Sequence, residues 1–169
     1  MRLASTLALA ALVFGGAIFG FFYAWVCSTM WGLDAADPRI AIAAMQAMNA
    51  SVRNVVFAPA FFGTPLVMAA AGAAVLAAGR RRSGIWFFAG AATYLVFGLL
   101  LTMTVNVPMN EALAAMAVPQ DIEAARAVWL DYSPRWQIWN QVRTIASGIA
   151  LAFAGLGALA LRPSLQSRS

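Results

Sequence analysis

Four apolar runs set the order of the chain, at residues 7–27, 55–78, 85–105 and 138–161. Each is long enough to cross a bilayer as a helix, which takes about 20 residues. The triplet Arg80-Arg81-Arg82 parts the second run from the third, while longer polar connections follow the first and third. Asp37-Pro38 has the form of a helix start, an N-cap followed by a first-turn proline. The helix it opens carries Met45, Met48 and Val52 on one side, with Gln46, Asn49 and Arg53 on an adjacent side. Pro59 and Pro65 are expected to disturb the first turns of the second span. Ser133-Pro134 is a second cap-and-proline pair and predicts the start of the last helix. Short helical pieces are expected between Asn106 and Tyr132. Gly16 and Gly20 give the small-xxx-small spacing that permits close helix contact in a membrane. Arg2 and Ala8-Leu-Ala10 loosely resemble a signal peptide, but the apolar run continues past any such cleavage point.

The pattern therefore predicts an all-α integral membrane protein: an antiparallel four-helix bundle with short helices between spans 1 and 2 and between spans 3 and 4. A single transmembrane domain would occupy residues 1–169. Composition agrees, since the 169 residues are 63% hydrophobic and 10% charged, against roughly 25% charged in a soluble domain. The net charge of +5 comes from arginines that flank apolar spans, so no nucleic-acid partner is expected. Their distribution predicts orientation instead. With both termini cytoplasmic, the inner face holds Arg2, Arg80, Arg81, Arg82, Arg162 and Arg168, and the opposite face holds the other five arginines with all six acids. The expected location is a bacterial inner membrane or its equivalent, with both longer connections on the extracytoplasmic side.

Cys27 is the only cysteine, so an internal disulfide is impossible, and histidine is absent. Together these remove the usual zinc, copper, haem and non-haem iron ligand sets; no metal or other cofactor is expected.

The spans hold few polar residues, and those gather at one end. In the last helix, Trp136, Asn140, Arg143 and Ser147 fall within roughly 60° of one another at about 100° per residue. A charge entering a membrane span points to a functional site and needs a partner. Gln46, Asn49 and Arg53 precede span two, and Asn106, Asn110 and Glu111 follow span three. An antiparallel bundle would bring these three groups to similar depth, where they could wall a pocket for a hydrophobic small molecule or lipid. A purely structural reading stands beside this one. Trp129, Tyr132, Trp136 and Trp139 suit an interfacial aromatic belt, Gln46 and Asn49 suit interhelical hydrogen bonding, and Arg143 with Glu111 suits an ion pair.

Three motifs carry a resemblance: Met45-Gln-Ala-Met-Asn49 with Arg53-Asn54; Val105-Asn-Val-Pro-Met-Asn110-Glu-Ala-Leu113; and Trp129 with Trp136-Gln-Ile-Trp-Asn140-Gln-Val-Arg143-Thr144. In this order they resemble the anthrone oxygenase-like family of small four-span membrane proteins, over about residues 14–161. The resemblance implies oxidation of an activated phenolic or polycyclic aromatic by dioxygen, without metal or flavin. The chain departs from the pattern at Gln141, where the family commonly has His, so a His-based proton transfer is not implied here.

Such an oxygenase needs a base and a means of holding an oxyanion. Glu111 is the candidate base, Arg143, Asn140 and Asn110 the candidate donors to the oxyanion, and Trp129 and Trp136 candidate stacking surfaces for a planar substrate. Gln46, Asn49, Arg53 and Asn106 complete the expected substrate-binding set. A non-catalytic lipid- or quinone-binding accessory protein is the alternative. A transporter is disfavoured by the absence of acids within the spans, and the oligomeric state is left open.

Overall fold

The computed structural model describes residues 2–161. Arg162 and Arg168, two of the arginines assigned to the inner face, lie outside the described residues. Five helices follow one another: α1 (Arg2–Asp34), α2 (Pro38–Ser51), α3 (Phe57–Ala77), α4 (Arg81–Ala114) and α5 (Ile122–Leu159). All but α2 are long and apolar enough to cross a membrane. They form a four-helix bundle in which α1 and α4 each pack against α3 and α5.

Neighbours run antiparallel. Phe21 meets Phe57, with 4.8 Å between ring centroids, whereas seven residues earlier Phe14 lies against Gly63. Likewise the Ser83 hydroxyl donates to the Gly157 carbonyl at 2.6 Å, and Thr102, farther along α4, meets Arg143. Small residues let backbones approach, because lipid tails supply no hydrophobic force between spans. A Cβ on Gly90 would sit 2.9 Å from the Ala150 carbonyl oxygen. The close approach that the Gly16 and Gly20 spacing permits is not used within the chain: among the described residues nothing lies within 4 Å of a Cβ at either. It is Gly15 that turns inward, against Met68 and Leu151. In so apolar a run, spacing does not say which small residue faces the bundle.

The helix ends follow from local chemistry. The Asp37 carboxylate accepts from the Arg39 amide at 2.9 Å and pairs with the Arg39 guanidinium at 2.6 Å, as the cap-and-proline pattern predicts. That guanidinium holds the Asp37 carboxyl down to about 2. Asn54 starts α3 by accepting from the amides of Val56 and Phe57, both at 2.9 Å. Gly79 ends it at φ 76°, with Arg80 N–H to Val75 O and Gly79 N–H to Leu76 O, a Schellman turn that glycine alone enters without strain.

Ser133-Pro134 does not start a helix. The Asp121 carboxylate caps α5 thirteen residues upstream of Pro134, accepting from Ala124 N at 2.8 Å, and the helix runs on through the proline. The carbonyl that Pro134 leaves without an amide belongs to Leu130, and both residues are exposed, so the core loses nothing. The short pieces expected between Asn106 and Tyr132 are in fact the end of α4 and the start of α5, joined by residues 115–121. Pro59 lies in the first turn of α3, where the amide needs no partner. Pro65, deeper, strips the Phe61 carbonyl of its amide, and the Tyr94 hydroxyl replaces it at 3.0 Å.

At about 1.5 Å per residue, the 21 residues of α3 cover about 31 Å, close to the hydrocarbon thickness of a bilayer. The 33, 34 and 38 residues of α1, α4 and α5 make them about 18–26 Å longer. At the α2 end these extensions and α2 itself build a second core around Trp25, Met30, Met45, Leu113, Trp129 and Trp136. The first core, around Ile18, Phe22, Phe61, Met68, Phe87 and Tyr94, lies within the four spans.

Candidate functional site

Where the two cores meet there is a cavity of about 540 Å³, a size usual for small-molecule sites. Phe21, Phe22 and Trp25 of α1, Phe57, Phe61 and Phe62 of α3, and Trp136 of α5 form its aromatic walls. Asn49, Arg53, Thr102, Asn110, Glu111 and Arg143 supply its polar groups. Three π-helical stretches, Trp25–Thr29, Tyr94–Leu100 and Thr102–Asn106, border this region. Such stretches mark functional regions of helices with some regularity.

Arg143 is buried, at 5% exposure. Its Nε donates to the Asn140 side-chain oxygen at 2.9 Å and one terminal nitrogen to the Thr102 hydroxyl at 3.4 Å. The guanidinium carbon lies 4.4 Å from the centre of the Phe22 ring and 5.0 Å from that of Trp136, so cation–π attraction compensates part of the charge. Among the described residues, no carboxylate oxygen lies within 4.0 Å of it. The ion pair with Glu111 is therefore absent. Glu111 pairs with Arg53 at 3.2 Å, and both side chains are 59% exposed.

Other groups are held in place from behind. The Asn110 side-chain oxygen accepts from the Tyr132 hydroxyl and from Trp136 Nε1, both at 2.8 Å. Two donors on one atom fix the amide's orientation and leave its nitrogen for the cavity. Asn49 is buried, and its amide nitrogen has no partner. Asn140 donates to the Phe22 carbonyl at 3.3 Å while accepting from Arg143; it does not line the cavity and reaches it only by its bond to Arg143. The Thr144 and Ser147 hydroxyls bond back to the Asn140 and Arg143 carbonyls.

Of the residues singled out in the sequence, the cavity brings together Asn49, Arg53, Asn110, Glu111, Trp136 and Arg143. Gln46 is not among them: its nitrogen donates to the Leu113 and Met116 carbonyls at 2.8 and 2.9 Å, closing the end of α4. Trp129 lies in the second core, its Nε1 donating to Asp34 at 2.9 Å. Asn106 is fully buried with both amide atoms unpartnered, away from the cavity wall. Gln141 is exposed and does not line the cavity, so the departure there removes no group from it.

Sequence reasoning missed Thr102, a lone hydroxyl in an apolar run, and the phenylalanines of α1 and α3, which carry no pattern of their own. It also passed over Asp34. That carboxylate gathers Trp129 Nε1, the Ser133 hydroxyl at 2.7 Å and Gln137 Nε2 at 2.8 Å, tying α1 to α5. As the acid nearest the first span it could have been flagged by the rule that such charges need partners. Among the described residues no group of three or more His, Cys, Asp or Glu could hold a metal ion.

Four helices long and apolar enough to cross a membrane, with an aromatic cavity and a buried cation between them, define an integral membrane protein of the helical-bundle class. The profile of the anthrone oxygenase family matches residues 53–153, more than half of the chain and all of α3, α4 and the cavity-lining part of α5. The chain belongs to this family. No curated protein and no solved structure matches it.

Proposed function

We propose that this protein is a cofactor-independent oxygenase of hydrophobic phenolic aromatics of the anthrone type, with Arg143 holding the oxyanion formed on the substrate. One observation carries the reading: a buried guanidinium without a carboxylate faces an aromatic cavity, as an anion site would. Where water is sparse, such a cation interacts with a developing negative charge far more strongly than it would in solution.

The chemistry balances with dioxygen as oxidant. Glu111 takes a proton from the substrate's benzylic methylene, and the electron pair moves into the ring system and onto its oxygen. Arg143 holds that oxygen, with the Asn110 amide nitrogen as a further donor. The electron-rich carbon reduces dioxygen and forms a C–O bond, giving a hydroperoxide after protonation. Loss of water then leaves the quinone, so an anthrone and dioxygen yield an anthraquinone and water. Trp136, Trp25 and the phenylalanines would stack on the planar rings.

The test adds purified protein in lipid nanodiscs to an anthrone in air and follows quinone absorbance. Turnover above autoxidation that is lost in Arg143→Met supports the proposal. A rate equal to the protein-free blank, with a copurified aromatic or lipid that air leaves unchanged, would replace it with a non-catalytic carrier. We further propose that the cavity end faces away from the cytoplasm, from the position of Arg2 and Arg80–Arg82 at the opposite end. Labelling of Glu123→Cys, in a Cys27→Ser background, by an impermeant maleimide on intact cells checks this; labelling only after lysis reverses it.

A further inference from the structure

The cavity's lining reaches the surface of the bundle in two different places. At the bundle's end it is bordered by Asn54, Val55 and the Arg53–Glu111 ion pair, which bridges the start of α3 to α4. On the flank it runs out between α3 and α4, where its lining includes Phe62 and Met103, 49% and 43% exposed on the outside of the bundle. Three helix seams are shut at this depth. Phe21 meets Phe57 between α1 and α3, Trp25 meets Trp136 between α1 and α5 at 5.1 Å, and Thr102 meets Arg143 between α4 and α5. The seam between α3 and α4 is tight from its far end, where Gly72 and Gly84 admit Phe88 and Leu76, past Gly90 against Met68 and as far as Tyr94. Between Tyr94, whose hydroxyl is wedged against the Phe61 carbonyl, and the Arg53–Glu111 pair at the bundle's end, no side-chain hydrogen bond or ring contact joins the two helices among the described residues.

We propose that this flank is a portal through which the hydrophobic aromatic substrate passes directly from the bilayer into the cavity, with Phe62 and Met103 as its jambs. The inference rests on the proposed substrate class but not on turnover. Phe62 lies five residues beyond the start of α3, about 7.5 Å along a helix whose length matches the hydrocarbon thickness, so the proposal places it inside the hydrocarbon. A molecule with several fused rings partitions to that depth unaided. The bundle's end is the poorer route for such a molecule, because an ion pair lies across it. It suits the water and protons that the reaction exchanges.

The test uses two variants in liposomes, Phe62→Cys/Met103→Cys/Cys27→Ser, oxidised to close the seam, and Met103→Trp, which narrows it without a crosslink. Two readouts run in parallel: anthrone oxidation, and energy transfer from tryptophan to 2-hydroxyanthracene, a planar phenol that reports arrival in the cavity. Probe arrival and oxidation both slowed at least tenfold in the closed form, and restored by reductant, support the portal. Met103→Trp should slow arrival severalfold, and it decides the matter if the crosslink does not form. Probe arrival blocked by closure in a protein without oxidation in any form keeps the portal and removes the oxygenase reading. Arrival at the unmodified rate with the seam closed or narrowed overturns the portal, as does arrival that instead quickens when salt screens the Arg53–Glu111 pair.

Discussion

Replacing Arg143 by methionine keeps much of its volume and removes the charge and the donors. If the guanidinium holds the oxyanion, turnover should fall by about 10²–10³-fold, as when other oxyanion donors are removed; absorbance at the quinone band measures it. Arg143→Lys should recover little, since an ammonium is a point charge and cannot reproduce the fork that reaches Asn140 and Thr102 together. At Asp34 the expected loss is of stability. Asp34→Ala strands Trp129 Nε1 and frees Ser133 and Gln137, a cost of about 2 kcal/mol visible as a lower thermal midpoint in detergent with ligand binding retained. Helical spacing revealed which residues share the Trp136–Arg143 face, because a 3.6-residue period is written in the sequence. It could not reveal partners. Gln46 and Trp129 lie on inward faces, yet the groups they meet come from α4 and α1, more than sixty residues away in each case.

Elements lose their signal when every face is apolar. The spans were legible as spans, but within them the π-helical stretches and the true contact glycine left no trace in the hydrophobic pattern. Gly90→Ala and Gly16→Ala test that distinction. The first pushes a methyl to 2.9 Å from the Ala150 carbonyl and should lower the thermal midpoint; the second meets nothing within 4 Å and should leave it unchanged or raised, the gain being up to about 1 kcal/mol of stability from helix propensity. Equal effects would show that α4 and α5 are not in backbone contact. The α2 cap has its own signature. Because Asp37 is held at about 2, below the usual carboxylate value of 3.8, its contribution is full above the higher value and is lost as pH falls through the lower. Helical circular dichroism should therefore drop between about pH 4 and pH 2 in the wild type. Asp37→Asn, which keeps a capping oxygen but does not titrate, should lack that component.

For the whole molecule, hydropathy and arginine placement were enough to give a four-span helical bundle, since a bilayer leaves a chain few alternatives. The cavity was only half legible. Its polar groups were expected at one end, but its aromatic walls and its position depend on α3 stopping short while its neighbours go on, which no local pattern records. That inequality of length has a consequence for the lipids. A helix of about 31 Å beside longer ones makes the bundle sensitive to acyl-chain length. In thicker membranes, hydrocarbon must thin around α3 or rise over Arg53 and Glu111; in thinner ones, the headgroups descend toward Phe62. Oxidation measured across phosphatidylcholines of increasing chain length should peak where the hydrocarbon matches α3 and decline on both sides. A flat profile would mean that the substrate does not travel through the lipid.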